Sequence, residues 1–78
     1  MNRSEIIEKL KDLIEKQDDI KIESADEKLD IDSYTMMLVI TYVQEEIGIQ
    51  LDMDKLDFDN FNSLNVFTDM ILEQSEAA

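Results

Sequence analysis

Apolar residues recur along this chain at intervals of three and four, and they gather into separate runs divided by acidic stretches. The first run, Ile6, Ile7, Leu10, Leu13 and Ile14, falls on one stripe roughly 120° wide at about 100° per residue, which predicts a helix over residues 3–16. Asn2 precedes it as a cap, with Glu5 three residues later in capping-box spacing. Glu5 with Lys9 and Asp12 with Lys16 stand four apart on the polar side. Residues 17–32 then break the period, with only Ile20, Ile22, Leu29 and Ile31 as apolar anchors. A connection of this length in a small domain is more often functional than idle.

The second run, from Tyr34 to Ile47, predicts a helix over 33–47 that Gly48 ends in a left-handed cap. Its apolar residues take two faces. Met36, Val39, Ile40, Val43 and Ile47 lie within about 100° and suffice for a core stripe. Tyr34, Met37, Leu38 and Thr41 lie near the opposite side beside Glu45, and a domain this small can hardly bury both faces. The second face therefore reads as a docking surface. Residues 49–60 fit a loop with one helical turn over about 54–59, and a last helix is expected over 63–74, starting near Asn62 or Ser63. With Asn62 as its cap, Phe61 and Val66 have the spacing of a hydrophobic staple. The expected fold is all-α, a small antiparallel bundle of three main helices and one short one in a single domain, 1–78, with Leu10, Leu13, Val39, Ile40, Val43, Ile47, Phe61, Leu64, Phe67 and Ile71 in the core.

Composition narrows what such a bundle can do. A chain of 78 residues buries only about 60% of its unfolded surface, which leaves little room for a substrate-enclosing pocket. It has no His and no Cys, so it lacks an imidazole base, a thiol nucleophile, a thiolate zinc site and disulfides. One glycine cannot build a phosphate-cradling loop. The expectation is a protein that is not an enzyme and holds no metal of its own.

The formal charge is -13 and unevenly spread: residues 1–28 carry six basic and nine acidic side chains, whereas 29–78 carry Lys55 against eleven acids. A field of that sign repels nucleic acid and anionic lipid, so neither is an expected partner, and a protein partner should present Lys and Arg. Asp52, Asp54, Asp57 and Asp59 suggest a calcium loop only loosely, because the Asp-x-Asp-x-Asp-Gly register and the glutamate at position twelve are missing. The N-terminus leads straight into charged helical pattern, and no apolar run approaches the roughly 18 residues of a membrane span, so the expected location is the cytoplasm.

Asp32-Ser33, at the head of the two-faced helix, is the candidate site. The plain reading is a helix cap. If Asp32 caps alone, with Ile31 and Met36 as its staple, the Ser33 hydroxyl is left at the first helical position. There, unpaired amides and the helix dipole favour an anionic ester.

Leu29-Asp30-Ile31-Asp32-Ser33-Tyr34, followed by a helix ending in Glu45-Glu46-Ile47-Gly48-Ile49, resembles the modification motif of the acyl carrier protein family. The resemblance covers nearly the whole chain: the helix, long loop, helix, short turn, helix order matches, and Asp59-Asn60-Phe61-Asn62-Ser63-Leu64 is similar to the entry into the family's last helix. It implies a carrier whose Ser33 receives 4'-phosphopantetheine from coenzyme A through a separate magnesium-dependent phosphopantetheinyl transferase, to which Asp32 helps present it. It also implies acyl- or aminoacyl-loading enzymes and downstream synthases as partners, docking on Tyr34, Met37, Leu38, Thr41 and Glu45 through basic and apolar surfaces. Four positions depart from the family pattern. Asp30 stands where Gly is frequent, Tyr34 where Leu or Met follows the serine, and Thr35 and Leu38 where bacterial fatty-acid carriers are typically acidic. An apolar docking face points to a specialised polyketide, peptide or aminoacyl pathway rather than bulk fatty-acid synthesis. The Tyr34, Met37, Leu38 patch also fits a homodimer seam, but it lacks heptad continuity, so a monomer is expected. The alternative from another class is an acidic helical interaction module without a prosthetic group, in which Ser33 is only a cap.

Overall fold

Asn2 opens the first helix as its sequence position suggests: its side-chain oxygen accepts the Glu5 amide at 2.9 Å, satisfying one of the donors that a helix start leaves without a partner. The computed structural model describes residues 2–77, so positions 1 and 78 of the expected single domain lie outside the described residues. The first helix, α1, spans Arg3–Asp18, two residues longer than expected, and buries Ile6, Leu10 and Ile14, while Ile7 and Leu13 pack at the edge of the core. It ends on Asp19, a non-glycine residue in the left-handed region (φ 53), whose amide is donated to the Glu15 carbonyl. Of the two expected side-chain pairs, Lys16 reaches Asp12 at 3.0 Å on the exposed surface, where such a contact contributes little.

The connection 19–32 is pinned at two of its four expected anchors. Ile22 and Leu29 are buried, Ile31 is half-buried, and Ile20 is exposed, contrary to its expected role as an anchor. The Ile22 amide is donated to the Glu15 carboxylate at 2.7 Å and the Leu29 amide to the Asn62 carbonyl at 2.8 Å. The Asn65 amide is donated to the Ala25 carbonyl at 3.0 Å, and its side chain reaches Asp26. Arg3 joins the same place, donating to Asn65 Oδ1 at 2.9 Å and pairing with Asp69. The start of the last helix is therefore the knot where helix, loop and N-terminus meet.

The second helix, α2, spans Ser33–Tyr42 and runs on without a break into a wider π-helical turn, Val43–Ile47. The Val43 carbonyl there accepts the amides of Gly48 at 2.9 Å and Ile49 at 3.2 Å. Gly48 ends the segment at φ 84, as expected of a glycine cap. The wider turn shifts the phase of the helical wheel, and Ile47, expected in the core stripe, is half-buried.

Two 3-10 turns, Met53–Lys55 and Phe58–Phe61, occupy the place of the single expected turn. Their acids act as local caps: Asp52 Oδ1 accepts the Asp54 amide at 3.0 Å and Asp57 Oδ1 the Asp59 amide at 2.7 Å. The last helix, α3, spans Leu64–Ala77. Ser63, not Asn62, stands before it, and its hydroxyl accepts the Val66 amide at 3.1 Å. The expected Phe61–Val66 staple is thereby displaced by one residue: Val66 is exposed, and Phe61 stacks instead on Phe67 with ring centroids 4.7 Å apart.

Among the described residues the result is all-helical, with three main helices in which α1 packs against both α2 and α3. Its radius of gyration, 11.4 Å, matches the value of about 11.5 Å for a compact chain of this length. The expected core residues are buried, Leu13 and Ile47 only in part, and Ile6, Ile14, Ile22, Leu29, Leu51 and Met70 join them. Thr68 is fully buried, and its hydroxyl has no hydrogen-bond partner among the described residues. No helix in the described residues is long and apolar enough to cross a membrane.

Candidate functional site

The head of α2 is built by Asp32. In extended conformation (φ -90, ψ 177), it turns its carboxylate to accept the Thr35 amide at 3.0 Å, while its own carbonyl accepts the Met36 amide at 3.0 Å. Asp32 therefore does the capping, and Ser33 occupies the first helical position. Ser33 is exposed, and no hydrogen bond among the described residues engages its hydroxyl. Ile31 and Met36, the expected staple, are both half-buried against the core.

Beside Ser33 lies an apolar cleft of about 310 Å³, lined by Ser33, Met36, Met37, Ile40, Leu56, Asp57 and Phe61. Two elements make it. α2 supplies the serine and the apolar residues three, four and seven positions beyond it, all on the same face. The segment between the π turn and α3 supplies the opposite wall. Ser33 and Asp57 are the polar members of the lining, and Asp57 is already engaged with the Asp59 amide. Spacing along the chain gives no sign of this cleft, because Leu56 and Phe61 come from a segment without a helical period.

The residues expected to form a docking face divide. Tyr34 and Met37 are among the most exposed large apolar side chains, at 64% and 53%, and Thr41 and Glu45 are also exposed, whereas Leu38 is half-buried. Met37 serves both as a surface residue and as part of the cleft wall. Thr35, at a position the resemblance describes as typically acidic in bacterial fatty-acid carriers, is buried to 1% exposure and donates its hydroxyl to Asp18 at 2.7 Å. The sequence holds no signal for that inward turn, since the partner is 17 positions away.

Chemically, Ser33 offers one accessible hydroxyl at the positive end of a helix dipole, which favours negative charge, beside a small cleft with a mostly apolar lining. No cluster of three or more Asp or Glu that could hold a metal ion occurs among the described residues. Comparison with protein-family models, with curated proteins and with solved structures gives no match for this chain.

Proposed function

We propose that this protein is a phosphopantetheine-dependent carrier of acyl or aminoacyl groups, modified on Ser33 and not itself a catalyst. One observation carries the reading: capping is delegated to Asp32, so the Ser33 hydroxyl, at the first position of α2 and on the rim of an apolar cleft, is engaged by no hydrogen bond among the described residues. In a modification by a separate transferase, the Ser33 oxygen forms a bond to the pantetheine-side phosphorus of coenzyme A. The phosphoanhydride bond breaks, 3',5'-ADP leaves with the electron pair, and the hydroxyl proton passes to a base of the transferase. When bound, the arm supplies a thiol that carries cargo as a thioester, and tethering raises the local concentration of cargo at each docked enzyme.

The finer expectations belong to the same reading. They are an antiparallel, acyl-carrier-like bundle, a monomer in the cytoplasm, Asp32 as the residue that helps present Ser33 to the transferase, and loading enzymes and synthases that meet Tyr34, Met37, Leu38, Thr41 and Glu45 through basic, apolar-centred surfaces. The apolar docking face favours a specialised polyketide, peptide or aminoacyl pathway over bulk fatty-acid synthesis.

Incubation with coenzyme A and a promiscuous phosphopantetheinyl transferase, followed by intact mass, tests the proposal. The expected result is one pantetheine increment that disappears in Ser33→Ala. No increment overturns the carrier reading in favour of an acidic interaction module, and an increment that persists in the variant overturns carriage on Ser33.

A further inference from the structure

Ser33 stands one residue inside a helix start that has two ways to form. Serine is about as strong a helix cap as aspartate. In the observed start, Asp32 caps and no hydrogen bond among the described residues engages the Ser33 hydroxyl. In a start shifted by one residue, Ser33 becomes the cap, and its hydroxyl accepts the amide of Thr35 or Met36 and is consumed. Local sequence alone barely separates the two.

Asp18 supplies the missing preference. It is the last residue of α1, where the negative end of that helix's dipole disfavours a carboxylate. Its Oδ1 instead accepts the Thr35 hydroxyl at 2.7 Å, across 17 positions of chain and beside the first turn of α2, where the dipole has the opposite sign. Thr35 is thus held by two carboxylates, Asp32 on its amide and Asp18 on its hydroxyl, while its side chain is buried to 1% exposure. Leaving that arrangement uncovers a polar group that burial has cut off from water, which is costly.

We propose that Asp18 and Thr35 form a latch that holds α2 in the start that leaves the Ser33 hydroxyl available, which makes both of them positioning residues for Ser33. The consequence for a transferase rests on the carrier reading; the helix register does not.

The test uses the full chain, isotopically labelled, in two arms. Asp18→Ala and Thr35→Val break the bond, whereas Asp18→Asn and Thr35→Ser keep an acceptor or a hydroxyl. In the first arm, amide exchange should quicken about tenfold at one of Thr35 and Met36, the one that a Ser33 cap leaves without an acceptor, in the two breaking variants relative to α1 amides, as expected for a lost hydrogen bond to a charged group, and stay near wild type in the two conservative ones. Exchange that is unchanged, or that quickens equally in all three helices, overturns the latch. In the second arm, kcat/KM for pantetheine transfer should fall about tenfold in Asp18→Ala and in Thr35→Val, with the double variant no slower than either. Transfer at the wild-type rate in both breaking variants overturns the presentation role while leaving the carrier reading intact. A wild-type chain that takes no pantetheine overturns the carrier reading and the presentation role together, and the exchange arm then decides the register alone.

Discussion

Thr68→Val should stabilise this protein, although it removes a polar group from a helix and adds none elsewhere. Thr68 is fully buried in α3 and its hydroxyl has no partner among the described residues, so folding strips it of water without replacing the hydrogen bond. That desolvation costs about 1–3 kcal/mol. Valine fills nearly the same volume without the hydroxyl, and the two residues have similar helix propensity, so the cost is recovered with little offset. In a domain of this size, about 1 kcal/mol moves the thermal midpoint by roughly 4–8 °C. Thr68→Ser makes the opposite change: it keeps the stranded hydroxyl and deletes a buried methyl, which costs about 0.8 kcal/mol before any cavity forms. Urea titrations followed by circular dichroism at fixed salt should place valine above wild type and serine below it. A valine variant no more stable than wild type refutes the reasoning and means that the Thr68 hydroxyl finds a partner in solution.

Two further outcomes follow from the charge and from the end of α2. With a net charge of -13 and most of it beyond residue 28, added salt or divalent cations should raise the thermal midpoint by screening self-repulsion, and a midpoint indifferent to ionic strength contradicts this. Gly48→Ala should cost about 1 kcal/mol in a denaturant titration; nothing lies within 4 Å of a Cβ at that site, so the penalty comes from the φ of 84 alone, and an unchanged midpoint shows that the left-handed cap is not needed.

What the sequence made legible was whatever depends on neighbours within one or two turns. The α1 stripe of Ile6, Leu10 and Ile14, the cap at Asn2 and the division of labour between Asp32 and Ser33 are all local. What it hid depends on distant partners. Thr35 reads as a surface residue until Asp18 is brought beside it. The cleft needs Leu56 and Phe61, which two short 3-10 turns carry across to α2 without a period to announce them. The start of α3 moved by one residue because Asn62 and Ser63 are both good caps; Ser63 takes the Val66 amide, while the Asn62 carbonyl is committed to Leu29.

The π turn at Val43–Ile47 bears on how this helix can be compared with any other. Such a turn holds one more residue than an α-helical turn between the same hydrogen-bonded ends. Positions from Ser33 to Tyr42 can be matched to a regular helix by counting, but beyond Val43 a fixed count lands one residue away from its structural equivalent. A partner surface shaped for an unbroken helix would meet Tyr34, Met37 and Thr41 in register and then find Glu45 and Glu46 displaced around the axis. The far end of the helix thus places its exposed acidic side chains in a pattern of its own, which positions transferred from a straight helix would not reproduce.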